Sequence, residues 1–149
     1  MIHLLEQQRQ AQIAVGGGGG TELILNTTFD DASNLTLDSA WSIAGGVAHY
    51  NRTTNNYIKY VISQDILNGD EFTISFDISN TTLAGARIIV YAENNSFEQM
   101  VPTTIFANGS HSVDYTHTGA TRTAIWLIGT NNASGGEFDI DNFSVLKTN

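Results

Sequence analysis

The sequence predicts an all-β fold, an antiparallel β-sandwich preceded by a short helical or extended N-terminal arm. The clearest sign is the run Glu71-Phe-Thr-Ile-Ser-Phe-Asp-Ile-Ser79, where Phe72, Ile74, Phe76 and Ile78 fall on one face and Thr73, Ser75 and Asp77 on the other. That period of two marks a strand buried on one side. Weaker runs of the same kind recur along the chain, divided by Asn/Gly/Ser/Asp punctuation such as Asn68-Gly69-Asp70 and Asn108-Gly109-Ser110. No helical period interrupts them after residue 20, and about eight or nine short strands without a helix make a sandwich.

The arm comes first. Residues 2–15 are good helix formers, with Leu4, Ala11 and Val15 on one face and Gln8 between them. A helix of about fourteen residues is marginal alone in water, so the arm is either disordered or ordered by contact with something else. Gly16 to Gly20 follow as a hinge or a place of close backbone approach. The chain therefore divides into an arm (1–15), a polyglycine hinge (16–20) and a β-domain (21–149). Within that domain the expected strands are Glu22–Leu25, Gly46–Tyr50, Tyr57–Ile62, Glu71–Ser79, Arg87–Glu93, His111–His117, Thr121–Ile128 and Glu137–Leu146.

Composition narrows the function. In 149 residues, 41% hydrophobic content supplies one core, and the absence of cysteine excludes a disulfide framework and any thiolate zinc site. The formal charge is −9, and because Glu6 and Arg9 cancel in the arm, the excess lies on the β-domain. Six Lys and Arg, scattered singly, make no basic patch, so nucleic acid and anionic lipid are excluded as partners. The N-terminus lacks a basic cluster and its apolar stretch is broken at residues 6–10, so it reads as neither signal peptide nor membrane span. Eight Asn-x-Ser/Thr triplets are read as the consequence of an Asn-, Ser- and Thr-rich composition rather than as glycosylation sites.

Two signatures bracket the β region. Leu25-Asn-Thr-Thr-Phe-Asp30, followed by Trp41, stands at its start, and Glu137-Phe-Asp-Ile-Asp-Asn-Phe-Ser-Val-Leu146 at its end. Together they resemble carbohydrate-binding modules of the galactose-binding-like jelly-roll type, over roughly residues 22–147. The resemblance implies a jelly roll with Trp41 in its core. It also implies one structural calcium ion where the ends of the first and last strands meet, with Asp30 and Asp141 matching by position and Asp139 or Asp31 as further ligands. The alternative stays open: Asp30 starts an Asx-turn and Asp141 caps a strand end with no metal.

Sugar binding by such modules uses exposed rings against pyranose faces with polar groups nearby. Tyr57, Tyr60, Tyr91 and Trp126 are the candidate aromatics. Arg87, Ile89, Tyr91 and Glu93 share one strand face, opposite Ile88, Val90 and Ala92, and make the most polar candidate surface. The carbohydrate-binding candidates are accordingly Arg87, Tyr91, Glu93 and Trp126. Catalysis is not expected. His111 and His117 stand about 20 Å apart if their strand is straight, and no Gly-x-Ser-x-Gly, His-Glu-x-x-His or phosphate-loop motif is present.

The arm decides between the two classes that remain. A short peptide joined through glycine to a sandwich is the layout of a part that docks on an assembly, and many bacteriophage surface proteins share it. The first expectation is thus a non-enzymatic virion structural protein, made in the host cytoplasm and displayed on the virion surface as a capsid decoration, head-fibre or tail component. It would be homo-oligomeric, anchored on a capsid or tail protein by Ile2, Leu4, Leu5, Ile13 and Val15, and able to hold host-surface glycans weakly. The second is a glycan-binding module acting in its own right in adhesion to polysaccharide.

Overall fold

A computed structural model describes residues 20–131 and 135–149. The arm, Gly16 to Gly19 of the hinge, and the anchor residues Ile2, Leu4, Leu5, Ile13 and Val15 lie outside the described residues. Eleven strands occur among the described residues: β1 (Thr21–Glu22), β2 (Leu35–Leu37), β3 (Trp41–Ala44), β4 (Val47–Tyr50), β5 (Asn56–Ile66), β6 (Glu71–Ser79), β7 (Ala86–Glu93), β8 (Phe97–Phe106), β9 (Gly109–Thr116), β10 (Arg122–Gly129) and β11 (Phe138–Lys147). Every pairing is antiparallel. One sheet runs β3-β4-β11-β6-β9 with β1 added against β11, and the other runs β2-β5-β10-β7-β8. The sandwich expected from the alternating runs is the fold of the protein.

The alternation of β6 is carried out as written, with Phe72, Ile74, Phe76 and Ile78 all buried. Ile88, Val90 and Ala92 of β7 meet them from the second sheet's inner face, as the sequence predicts. At one end of the core Trp41, Tyr50 and Phe138 form a ring cluster, with centroids 5.2–5.6 Å apart. The Trp41 indole N–H donates to the Asn56 carbonyl at 3.0 Å, which satisfies its one polar atom inside the core. Gly129 makes room for this cluster, since a Cβ there would stand 2.6 Å from Cδ2 of Tyr50.

Three strands were not expected. β2 and β3 are short and set among Asn, Ser and Asp. β8 carries Pro102, which argues against a strand in a sheet interior. It is tolerated because β8 is the sheet edge, and the β7–β8 ladder shifts register on both sides of Val90, opposite Val101. The expected strand at residues 22–25 is also revised. β1 ends at Glu22, and the chain then crosses between layers: Leu23 donates to the Val145 carbonyl, while Ile24 bridges Ile62 of the other sheet. The Glu22 carboxylate accepts from the N–H groups of Ile24 and Val145 and from the Ser144 hydroxyl, which pins the crossing.

Candidate functional site

The outer face of the β2-β5-β10-β7-β8 sheet gathers rings from four elements. Alternation turns Tyr57 and Lys59 of β5, Trp126 and Ile128 of β10, and Ile89, Tyr91 and Glu93 of β7 to this side. Register then sets the neighbours, because Trp126 pairs with Lys59 on one flank and with Tyr91 on the other, and Tyr91 pairs with Gln99 of β8. One row, Lys59–Trp126–Tyr91–Gln99, thus crosses four strands.

Trp126 is the pillar of this face. Tyr57 packs on it with centroids 4.1 Å apart and planes 36° from parallel, Phe97 meets it edge-on at 5.1 Å, and Phe97 also meets Tyr91 at 5.4 Å. The Lys59 ammonium lies 5.6 Å from the indole centroid and 4.0 Å from the Glu93 carboxylate. Four rings joined in a chain of contacts, Tyr57 to Trp126 to Phe97 to Tyr91, on a solvent-facing sheet surface are not what solubility calls for, since pairs of this geometry ordinarily close a core or an interface. Phe97 is the most open of them, at 52% exposure. The indole N–H of Trp126 has no hydrogen-bond partner among the described residues.

Three of the four sequence candidates come together here: Tyr91, Glu93 and Trp126. Arg87 does not join them. It keeps the expected face but stands four residues from Tyr91, about 13 Å along the strand, where Nη1 donates to Thr130 Oγ1 at 3.4 Å and the backbone of Gly135 closes over its side chain. Tyr60, one of the aromatics considered, is a core residue at 1% exposure, stacked on Phe143 at 5.1 Å. Sequence reasoning missed Phe97, Lys59 and Gln99. Phe97 follows the turn Asn94-Asn-Ser96 in a strand hidden by Pro102, and nothing short of the fold places it across β7 from Trp126.

The other sheet's outer face is different in kind. His49 Nδ1 lies 2.6 Å from Asp139, whose second oxygen accepts from Asn80 Nδ2 at 2.7 Å. Asp77 faces Asp141 across β6 and β11, and Asp114 accepts from Thr73 at 2.8 Å. Hydrogen bonds from Ser110 and Asn142 outweigh partial burial and hold the Asp77 carboxyl below its ordinary range, so it stays ionised there. Four aspartates, Asp77, Asp114, Asp139 and Asp141, thus stand on this face, while the aromatic face carries Lys59 and Arg87 beside Glu93. A shallow groove lined by Glu71, Phe72, Asp114 and Tyr115 sits at the β6–β9 edge and lies away from the rings.

Asp30 and Asp141 each take hydrogen bonds locally. Asp30 accepts from Thr28 Oγ1 at 2.8 Å, and Asp141 accepts from the Asn142 N–H at 2.7 Å beside the β11 bulge. Among the described residues no three His, Asp or Glu side chains gather as a metal-ligand set. His111 near the start of β9 and His117 just past its end both turn toward the core. His111 bonds the Ala107 carbonyl, and His117 is wholly buried.

In three dimensions the chain is similar to the second N-terminal cellulose-binding domain of β-1,4-glucanase C from Cellulomonas fimi, at 15% identity and a TM-score of 0.63, over 89% of this chain and 98% of that one. It is similar to a low-affinity xylan-binding module of family 86 from Roseburia intestinalis, at 14% identity and a TM-score of 0.54, over 87% and 95%. A family 29 carbohydrate-binding module aligns at 11% identity and a TM-score of 0.58, over 87% and 90%. At these identities the likeness is one of fold, the jelly roll of carbohydrate-binding modules. No family model matches the chain, and no curated relative matches it in sequence.

Proposed function

We propose that this domain is a glycan-binding module without chemistry of its own, and that it holds a polysaccharide on the outer face of the β2-β5-β10-β7-β8 sheet. The observation that carries the reading is the contact between Tyr57, Trp126, Phe97 and Tyr91 on a face that solvent reaches. The C–H face of a pyranose is apolar and its rim is a ring of hydroxyls, so a receptor needs open aromatic surface flanked by donors and acceptors. Phe97 and Tyr57 supply the open ring surface on either side of Trp126. Lys59, Glu93, Gln99 and the Tyr91 hydroxyl supply the polar rim.

The likeness to cellulose- and xylan-binding folds supports this reading of the two that the sequence left open. It lends no weight to the virion role, whose anchor lies outside the described residues. A ligand of neutral sugars fits better than a polyanion, because Glu93 already balances Lys59. The test is calorimetric titration with soluble cellulose and xylan fragments. The expected result is weak, saturable binding to at least one of them that Phe97→Ala and Tyr57→Ala reduce. Equal heats from the parent and both variants would refute it.

A further inference from the structure

We infer that Arg122 is a positioning residue for Phe97, an inference that rests on the glycan-binding reading for its functional meaning but not for its geometry. Phe97 starts β8 directly after the turn at residues 94–96, in which Asn95 is left-handed with φ 56°. An open ring at such a place would be mobile, and ordering it on binding would cost affinity. Both of its chain neighbours are held instead.

Nη1 of Arg122 donates to the Ser96 carbonyl at 3.2 Å and to the Ser96 hydroxyl, and Nη2 lies 3.5 Å from Glu98 Oε2. The guanidinium is nearly buried, so these bonds meet little competition from water. Glu98 is in turn tied to the opposite sheet. It accepts the Tyr115 O–H at 2.5 Å on Oε1, and His117 Nδ1 lies 3.4 Å from Oε2. His117 is wholly buried and its Nε2 donates to the Ala120 carbonyl at 2.8 Å. Asn94 Nδ2 adds a bond to the Thr121 carbonyl at 3.3 Å.

The planar fork of Arg122 thus joins three strands, β10, β8 and, through Glu98, β9, at the root of the most exposed ring. A lysine at this position keeps the charge but is a single point that cannot reach Ser96 and Glu98 together.

The experiment compares the full chain with Arg122→Lys, Ser96→Ala, Phe97→Ala and the Arg122→Lys, Phe97→Ala double variant. Two readouts are taken: ring-to-ring NMR contacts between Phe97 and Trp126 without ligand, and affinity for whichever glycan the parent binds. Arg122→Lys is expected to lose the Phe97–Trp126 contacts and about five- to tenfold in affinity, the scale of a truncated interface aromatic. Ser96→Ala is expected to do the same to a smaller degree without threatening the fold. The double variant is expected to bind no worse than Phe97→Ala alone, since coupling of this kind marks action through the ring. Retention of the ring contacts in both Arg122→Lys and Ser96→Ala would overturn the inference. If the parent binds no glycan, the ring contacts still decide the positioning role, and the glycan-binding reading alone falls.

Discussion

Phe97 on β8 reaches across β7 to stand edge-on against Trp126 on β10, with 5.1 Å between ring centroids. Neither residue needs this contact for solubility or for the core, which lies on the other side of the sheet. Because Phe97 is half open, Phe97→Ala is expected to leave thermal stability nearly unchanged while lowering glycan affinity about tenfold, near 1.4 kcal/mol. Trp126→Ala is expected to cost both, because the indole carries Tyr57 as well. Melting curves beside calorimetry separate the two effects.

Arg87 shares a face with Tyr91 but stands at the far end of its strand, beside Thr130 and Gly135. Arg87→Ala is therefore expected to leave the affinity for a disaccharide or trisaccharide unchanged, and to matter only for chains long enough to reach past Ile89. An oligosaccharide length series titrated against the variant checks this. An equal loss for every length would place Arg87 inside the primary site.

Acid should unfold the domain through Asp70 and Glu98. The Asp70 Oδ1 atom accepts from Lys147 Nζ at 2.7 Å, and Oδ2 accepts from the Leu67 N–H at 2.9 Å. Burial works to raise the Asp70 pKa, but the hydrogen bonds from Lys147 and Leu67 and the charges of Lys147 and His117 outweigh it and hold the carboxyl below its ordinary value. For Glu98 burial likewise opposes, and the Tyr115 hydroxyl with the charges of His117 and Arg122 prevails. A carboxyl whose pKa is lower in the folded chain contributes stability that is fully present above the unfolded value, about 4, and lost as pH falls through the folded one. Melting temperature is expected to fall steeply from about pH 4 downward, and Asp70→Asn to lower it at neutral pH while flattening that acid limb. An unchanged slope would remove Asp70 from the account.

Gly129 is a packing requirement of the ring cluster. A methyl group there would meet the buried Tyr50 ring at 2.6–2.8 Å, and Tyr50 is boxed in by Trp41 and Phe138. Gly129→Ala is expected to destabilise the domain by about 1–3 kcal/mol, the usual cost of overpacking. Chemical denaturation measures it.

The strands with one buried face were legible in the sequence because alternation reports burial directly: Phe72 to Ile78 and Ile88 to Ala92 point inward as read. β8 was not, for Pro102 breaks the pattern and an edge strand buries too little to impose it. The candidate site divides along the same line. That Tyr91 and Glu93 face the same side is a local fact, and so was visible. That Trp126 lies between Lys59 and Tyr91, or that Phe97 touches it, depends on register between distant strands, which parity alone does not fix. Arg87 shows the limit of parity, because a shared face is not a shared place. Tyr57 and Tyr60 stand three residues apart on β5 and so point to opposite sides, one to the surface and one into the core.

The most direct test is to follow backbone amide and indole N–H resonances of the full chain as soluble cellulose and xylan fragments are added. Shifts that concentrate on Tyr57, Lys59, Tyr91, Phe97, Gln99 and the Trp126 indole are the predicted result. Shifts confined to the His49–Asp139 face, or none with any glycan, would contradict the assignment of this aromatic face as a glycan-binding surface.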